Sequence, residues 1–291
     1  MILRFLAFLA IATVISPLQS RAATPTLTTL ATFNFTDGSQ PAAGVIADAN
    51  GNLFGTTVTG GANDYGTVFE IAKTASGYAS NPITLYSFCK SLPPCTDGAN
   101  PSGGVIADTN GNLFGTTFNG GAHQFGTVFE IPKTAAGGYA SNPIILYSFC
   151  KSLSPCTDGE GPNGNLIANA NGNLFGTTFN GGAHQFGTVF ELLKTAEGYD
   201  NTLTILYSFC AQSGCADGAT PSGGLTVDAN GNLFGMTEEG GVSGFGGTVF
   251  EIAKTASGYA SNPITLYSFC KSLADCVESR TERIPALHVM Q

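Results

Sequence analysis

The residues best suited to chemistry lie in one glycine-rich loop that recurs along the chain. Two histidines, His123 and His184, occupy equivalent positions in it, where paired imidazoles could bind a metal or act as a general base. Neither has an acidic or cysteine partner at ligand spacing, so the sequence predicts no catalytic or metal site here. The repetition favours an interpretation as duplicated turn residues, with ligand binding as the alternative. The candidate ligand-binding residues are Asp64, Tyr65, His123, Gln124, Phe125, His184, Gln185 and Phe186.

Eight cysteines form four close pairs, one at the same place in each repeat. The spacing admits local disulfides, a thiol metal site or a redox centre. Zinc sites usually have shorter Cys-x2–4-Cys spacing and further ligands, and the chain contains no Cys-x-x-Cys. Disulfides are therefore predicted, and they indicate an oxidising compartment. The pairs are Cys89/Cys95, Cys150/Cys156, Cys210/Cys215 and Cys270/Cys276.

Other patterns with chemical potential have simpler explanations. The phrase Asp48-Ala-Asn50-Gly-Asn52 resembles part of a calcium loop, but it lacks a bidentate glutamate and suits a capped hairpin turn. The recurring glutamates of the third predicted strand fit a cross-strand role better than acid–base work; they are Glu70, Glu130, Glu191 and Glu251. Three loop acids follow the second cysteine of a pair: Asp97, Asp158 and Asp217. No nucleophile elbow, phosphate loop or dinucleotide fingerprint is present, so we predict no catalytic residue and no cofactor.

These side chains belong to a tandem repeat of about sixty residues that occurs four times, and the fold of that repeat must position them. Its phrase Gly-Asn-Leu-Phe-Gly begins at Gly51, Gly111, Gly172 and Gly231. Such repeats bury apolar surface mainly against their neighbours, which predicts a closed or stacked array. In the first block, turn signals separate strands predicted at 44–48, 52–57, 66–71 and 82–88, with a turn over 72–81. The loop between the second and third strands then shares a face with the disulfide loops.

Four antiparallel strands per block, without helical periodicity, predict an all-β fold: a β-propeller-like array of four four-stranded blades, complete or truncated. A parallel β-helix and separate sandwiches are the alternatives, but β-helix coils are shorter and sandwiches would not share one strict phrase. The predicted repeat domain spans 23–276. Its blades lie at 44–88, 104–149, 164–209 and 224–269, preceded by a stray strand at 27–35 and followed by a disordered tail at 277–291.

The first 22 residues have the pattern of a signal peptide, with Arg4 before the apolar run 5–15 and small residues at Ser20 and Ala22. That run is too short to span a membrane, and no second long run follows. We therefore expect export to the cell surface or the extracellular space, with no membrane span after cleavage. The 20 acidic and 11 basic residues give a formal charge of −9, which disfavours nucleic acid as a partner.

The string Ile-Ala-Asp-Ala-Asn-Gly-Asn-Leu-Phe-Gly-Thr-Thr, followed by Gly-Gly, Gly-Thr-Val-Phe-Glu-Ile and Leu-Tyr-Ser-Phe, resembles a known repeat. It is similar to the GloVer-type tandem repeat of secreted bacterial "choice-of-anchor" proteins and, more distantly, to the propeller repeats of two-component regulators. The resemblance covers residues 27–276 and implies an exported repeat protein of the cell surface. The chain departs from the pattern at Asn169, which replaces the aspartate, and at Met236, which replaces the first threonine.

The sequence as a whole predicts a non-enzymatic exported scaffold that acts as a binding or interaction module, with a surface glycan or an envelope protein as its partner. One alternative is a propeller-type hydrolase or lyase that acts on extracellular polysaccharide; another is a non-functional truncated array. An enzyme would need polar residues present in one blade and absent from the others. The main such asymmetries are Glu160, Glu197, Asp200, Glu238 and Glu239.

Overall fold

The computed structural model describes residues 26–90, 94–152 and 154–270. The predicted signal peptide (1–22), the predicted tail (277–291) and Cys276 lie outside the described residues. The described chain is all-β: a single 3-10 turn at Ser213–Cys215 is the one helical element in these ranges. The all-β prediction is therefore confirmed.

The strands form four sheets in chain order. The first sheet has the order β1-β2-β3-β6 beside a small hairpin β4-β5. Its strands are β1 (Ile46–Ala47), β2 (Leu53–Thr57), β3 (Thr67–Ile71), β4 (Lys73–Thr74), β5 (Gly77–Tyr78) and β6 (Ile83–Ser87). The second sheet repeats this order with β7 (Ile106–Ala107), β8 (Leu113–Thr117), β9 (Thr127–Ile131) and β10 (Ile144–Ser148).

The third and fourth sheets each have five strands, because two short segments pair with one long strand. The third sheet consists of β11 (Glu160–Pro162), β12 (Ile167–Ala168), β13 (Leu174–Asn180), β14 (Thr188–Thr195) and β15 (Gly198–Ser208). The fourth consists of β16 (Ala219–Pro221), β17 (Thr226–Val227), β18 (Leu233–Glu239), β19 (Thr248–Ile252) and β22 (Ile264–Ser268), with the hairpin β20 (Lys254–Thr255) and β21 (Gly258–Tyr259) beside it.

Local sequence explains most of these boundaries. Gly51 has φ +82°, which the tight turn between β1 and β2 requires. The segment predicted as a turn at 72–81 is different, because it extends β3 and β6 as the hairpin β4-β5. In the third sheet the same segment is absorbed into β14 and β15. Strand pairing there continues until the Gly198 turn allows the chain to reverse.

In each sheet, pairing with the second strand begins earlier in the chain than the first predicted strand. Isolated bridges join Ser39 to Thr59 and Ala99 to Asn119, at the places where β11 and β16 pair in the later sheets. The stray strand predicted at 27–35 does not form, since no strand precedes β1 among the described residues. Phe33 of that segment nevertheless packs edge-on against Phe69, with ring centroids 4.8 Å apart.

Each sheet packs on the next, as successive propeller blades do. We call the side of a sheet that meets the following sheet its trailing face, and the side that meets the preceding sheet its leading face. The first apolar core joins the trailing face of the first sheet (Phe54, Val68) to the leading face of the second (Val105, Leu113). Equivalent cores join the second sheet to the third and the third to the fourth. The apolar clusters found in the described residues thus give three junctions for four sheets.

One aromatic contact recurs at every junction. The phenylalanine that ends the fourth strand packs edge-on against the phenylalanine of the third strand of the next sheet. The pairs, with their centroid distances, are Phe88–Phe129 (5.1 Å), Phe149–Phe190 (5.3 Å) and Phe209–Phe250 (5.0 Å). Such edge-to-face pairs add to the burial energy of the rings. The strict spacing of the sequence repeat therefore reproduces one interface three times.

Strands β2, β8 and β13 also bond to the backbone segment that precedes β7, β12 or β17 of the next sheet. The Thr56 hydroxyl donates to the carbonyl oxygen of Gly103 at 2.7 Å, and the equivalent bonds are Thr116 to Gly164 (3.3 Å) and Thr177 to Gly223 (3.2 Å). A Cβ on Gly103 would overlap the carbonyl oxygen of Gly164. Glycine is required there because the neighbouring backbone occupies the position of a side chain.

Candidate functional site

The predicted loop face exists. In the second sheet the loop between β8 and β9 contacts the preceding disulfide loop, since the Gly121 amide donates to the Cys95 carbonyl oxygen at 2.8 Å. Gly182 and Gly241 repeat this bond to Cys156 and Cys215. Disulfides join Cys89 to Cys95, Cys150 to Cys156 and Cys210 to Cys215, as predicted. Cys270 is also disulfide-bonded, whereas Cys276 lies outside the described residues.

The candidate polar residues of this face support their own loops. The Gln124 side-chain amide donates to the Gly121 carbonyl oxygen at 2.6 Å, and Gln185 does the same to Gly182. Asp64 accepts from the Gly60 amide at 3.1 Å. Asp64, Gln124 and Gln185 also have φ near +70°, a conformation typical of turns. Each of these three side chains therefore has a hydrogen-bond partner within its own loop.

The aromatic and histidine candidates occupy equivalent places in three successive sheets. Tyr65 and Phe125 are each 37% exposed and Phe186 is 40% exposed, and all lie on the loop face. His184 is exposed and His123 is half-buried. The backbone carbonyl groups of the three aromatic residues accept hydrogen bonds from the next sheet, at Asn100, Gly161 and Thr220. In the described residues no three His, Cys, Asp or Glu side chains come together in a group able to hold a metal ion.

The three loop acids bind tyrosine hydroxyls from the fourth strand of their own sheet. Tyr86 donates to Asp97 at 2.6 Å, Tyr147 to Asp158 at 2.7 Å and Tyr207 to Asp217 at 2.7 Å. Asp217 also accepts the backbone amides of Ala211 and Gln212. These acids therefore anchor the disulfide loops to the sheets. Burial, followed by the hydrogen bond and the negative charge of the aspartate, raises the pKa of each tyrosine above its usual value.

These tyrosines predict a loss of stability in alkali. An unfolded chain releases phenolic protons near about pH 10, whereas the folded chain keeps them because the pKa of Tyr147 and its equivalents is raised. The unfolded state then binds fewer protons, so the contribution of these tyrosines to the free energy of unfolding should be constant below about pH 10 and fall above it. Urea unfolding across this range measures the effect. Tyr147→Phe should make the decline shallower, and an unchanged slope in that variant would contradict the assignment.

At the opposite end of the sheets, the first hairpin of each block is capped by its aspartate. Asp48 Oδ1 accepts the amides of Asn50 and Asn52, and Asp48 Oδ2 accepts the Asn52 side chain at 3.1 Å. The Asn52 side-chain oxygen in turn accepts the Lys73 amide at 2.9 Å. Both oxygens of this carboxylate therefore have backbone or amide partners. The turn-cap interpretation accounts for this phrase without calcium.

The third block changes one partner in this arrangement. Asn169 replaces the aspartate and keeps the two backbone bonds, from Asn171 and Asn173 at 3.0 Å each. The side-chain amide of Asn173 instead donates to Glu191 Oε1 at 2.8 Å. The substitution thus moves one hydrogen bond to the strand-three glutamate and leaves the turn intact.

Successive hairpins enclose a row of three clefts, which we call the hairpin clefts. The first lies between 47–50 and 107–111, beside Lys133. The second lies between 107–109 and 168–172, beside Lys194, and the third between 167–171 and 227–233, beside Lys254 and Tyr259. Their volumes are about 410, 320 and 180 Å3. Each cleft is lined by the same two repeat elements, the first hairpin of a block and the lysine two residues after the phrase Thr-Val-Phe-Glu-Ile/Leu. None of the candidate ligand-binding residues predicted from sequence lines these clefts.

The lysine of each cleft lies near a tyrosine ring, and aspartates line the first two clefts. Lys133 Nζ lies 5.8 Å from the Tyr139 ring centroid, and Lys254 Nζ lies 4.0 Å from that of Tyr259. Burial, then repulsion by Asp48, raises the pKa of Glu70, and attraction to Lys133 opposes the rise. Burial and the charges of Glu70 and Asp48 raise the pKa of Tyr139 to about 12. Every cleft therefore offers an ammonium donor, with aspartate oxygens in the first two clefts and the Tyr259 ring in the third.

A signal for this site was present in the sequence. Four of the chain's 11 basic residues recur at one repeat position, two residues after the phrase Thr-Val-Phe-Glu-Ile/Leu: Lys73, Lys133, Lys194 and Lys254. The recurrence of lysine at this position, in a chain with few basic residues, was therefore visible in the sequence. The facing hairpin belongs to another block, so only the packing of sheets shows what the lysine borders.

A family model for the Gloeobacter/Verrucomicrobia repeat matches residues 18–155 and 86–284. The chain belongs to this repeat family. The predicted resemblance is thereby confirmed, and the two overlapping matches reflect the tandem blocks of the family. No curated protein matches the chain.

Solved structures resemble this repeat-family chain only at low identity. The periplasmic gluconolactonase of Pseudomonas aeruginosa is 16% identical with a TM-score of 0.46, over 79% of this chain and 57% of that one. A putative 6-phosphogluconolactonase of Bacteroides fragilis is 11% identical with a TM-score of 0.45, over 78% and 56%. A Cellvibrio cellulosa α-L-arabinanase mutant is 10% identical with a TM-score of 0.41, over 75% and 74%. The chain thus spans little more than half the length of the two lactonases.

Two observations bear on where this repeat-family protein resides. Three disulfides between described cysteines are typical of proteins in oxidising compartments such as the periplasm and the cell exterior. Among the described residues, no helical segment has the length and apolar character needed to cross a membrane.

Proposed function

We propose that the protein is an exported binding module whose hairpin clefts hold a polysaccharide. The observation that carries the proposal is the repetition of one cleft three times along the array. A repeated site suits a repeated ligand, because each further contact with a polymer gains from a high effective concentration. Single weak subsites can then give a useful overall affinity.

The chemistry of the clefts favours a neutral, hydroxyl-rich ligand. The lysine of each wall supplies hydrogen-bond donors, while exposed asparagines such as Asn110 and Asn171 line the clefts and can donate or accept. In the first two clefts, lysine faces aspartate side chains, so the walls are close to charge balance. Tyr259 adds an aromatic wall to the third cleft. Sugars present hydroxyl groups and apolar ring faces together, which matches this combination.

The hydrolase alternative has one observation in its favour. Glutamate and aspartate carboxylates neighbour each other at Glu70 and Asp48 and again at Glu130 and Asp108, and the pKa of each glutamate is raised by burial first and by the aspartate second. Paired carboxylates are typical of glycosidases. The aspartates, however, already accept three hydrogen bonds each within their turns. This use as turn caps supports binding over catalysis.

Binding to a panel of neutral polysaccharides, measured by affinity electrophoresis and calorimetry, tests the proposal. Lys133→Ala and Lys194→Ala should each weaken binding by about tenfold, the effect of losing a hydrogen bond to a charged group. Lys90→Ala is the matched control, because Lys90 Nζ donates to Asn142 and lines none of the three hairpin clefts; it should bind normally. Failure to bind any neutral polysaccharide would refute the proposal.

Two further results would redirect it. If Phe125→Ala and Phe186→Ala abolish binding while the lysine variants bind normally, the ligand occupies the predicted loop face and not the hairpin clefts. Release of reducing ends that Glu130→Gln abolishes would establish the hydrolase alternative.

A further inference from the structure

Among the described residues, no other sheet covers one face at each end of the array. On the leading face, Val105, at the second sheet, is 1% exposed, whereas its equivalent Val45, at the first sheet, is 48% exposed. On the trailing face, Val68 is fully buried, whereas its fourth-sheet equivalent Val249 is only partly buried. Leu266, from β22 of the fourth sheet, is 49% exposed. The two half-interfaces that make each internal junction are therefore both present without being joined.

The unpaired faces carry matching aromatic side chains. At the internal junctions Phe54 packs against Tyr139 with centroids 5.7 Å apart, and Phe114 and Phe175 contact Tyr199 and Tyr259 in the same way. By position, the fourth sheet supplies Phe234 and the first sheet supplies Tyr78. Both are only partly buried. A junction between the two ends would pair them as the internal junctions do.

Charges match as well. At the internal junctions the lysine of one sheet attracts the glutamate of the preceding sheet, as Lys133 does Glu70 and Lys194 does Glu130. The equivalent residues at the ends are Glu251 on the fourth sheet and Lys73 on the first. These are opposite charges at the positions where the internal junctions place them.

The departure at Met236 lies on the same unpaired face. Its equivalents Thr56, Thr116 and Thr177 donate to glycine carbonyl groups of the next sheet. Met236 cannot donate, is 55% exposed, and by position would face Ala43 in place of a glycine. The end faces thus carry an apolar pair where the internal junctions have a polar one.

Phe33 fills one position on the leading face of the first sheet. Its ring packs on Phe69 as Phe88 packs on Phe129. Around it, residues 26–32 have no regular structure and are almost entirely exposed. Phe269, the fourth-sheet equivalent of Phe88, is 41% exposed. Phe33 thus occupies the place that Phe269 of another copy would need.

We propose that two copies of this chain associate head to tail, with the trailing face of the fourth sheet of one copy covering the leading face of the first sheet of the other. Phe269 takes the place of Phe33, so residues 26–33 act as a displaceable plug that keeps self-association weak. A contact between two different surfaces is heterologous; it closes into a ring or continues into a chain of copies, depending on its rotation.

Sedimentation velocity of the full protein over a range of concentrations tests this interface. The wild type should associate as concentration rises, and Phe33→Ala should associate about two- to tenfold more tightly because one edge-to-face contact no longer competes. Val45→Glu and Leu266→Glu should each abolish association. Val242→Glu is the control, because Val242 is 74% exposed in a loop on neither face; it should associate like the wild type.

A charge exchange provides a second, independent test. Glu251→Lys should weaken association, and adding Lys73→Glu to the same chain should restore it. The proposal is overturned if the wild type and Phe33→Ala both remain monomeric at every concentration. It is also overturned if association survives Val45→Glu and Leu266→Glu.

Discussion

Phe149→Ala is expected to lower the free energy of unfolding by about 3–5 kcal/mol, the usual cost of removing a buried phenylalanine ring. Phe149 is fully buried and packs on Phe190 across the junction between the second and third sheets. Removal of the ring takes away apolar contacts with both sheets and leaves a cavity at the junction between them. Urea unfolding, followed by circular dichroism at low protein concentration, measures the change.

Phe269 provides the matched control for this variant. It ends the fourth strand of the last sheet at the equivalent position, but it is 41% exposed. Phe269→Ala should therefore cost about 1–2 kcal/mol, less than Phe149→Ala, since only part of its apolar surface is buried. Equal effects for the two variants would show that stability does not depend on the junctions between sheets.

Gly103→Ala is the second substitution with a large expected effect, lowering the free energy of unfolding by about 1–3 kcal/mol or more. The added methyl group would overlap the Gly164 carbonyl oxygen, which is backbone and cannot rotate away. The segments around Gly103 and Gly164 must then separate, and the hydrogen bond from Thr56 to Gly103 is strained as well.

Gly44→Ala is the control for the glycine variant. A Cβ on Gly44 meets no atom within 4 Å, whereas one on Gly103 would meet the Gly164 carbonyl group. Here alanine should be neutral or stabilise by about 0.4–1 kcal/mol through the unfolded state. A large loss of stability in Gly44→Ala, or no loss in Gly103→Ala, would contradict the close backbone contact between Gly103 and Gly164.

Local signals made most of the fold predictable from sequence. The Asn50-Gly51 turn and the alternating apolar residues after it define β1, β2 and β3 to within about two residues. The even spacing of cysteines predicts the three observed disulfides. The shared face of the glycine-rich and disulfide loops follows from antiparallel topology alone. Each of these features is decided within one block.

The features that were missed depend on contacts between blocks or on competition among partners. Residues 27–35 have the composition of a strand, but the structure describes no strand edge with which they pair, and Phe33 packs on Phe69 instead. Asp158 is a plausible loop ligand in sequence, yet the Tyr147 hydroxyl binds it. The hairpin clefts arise where Asp108 of one block comes near Lys194 of the next, and no property of either residue predicts that approach.

The identical construction of the three junctions has a consequence for how such a gene can change. A duplicated unit spliced between two existing ones would present the same complementary surfaces on both sides, so it would dock without any compensating substitution. Deletion of a whole unit would rejoin matching surfaces in the same way. Recombination between the near-identical coding segments can therefore alter the number of hairpin clefts, and with it the length of polymer contacted, in single steps that keep the fold intact.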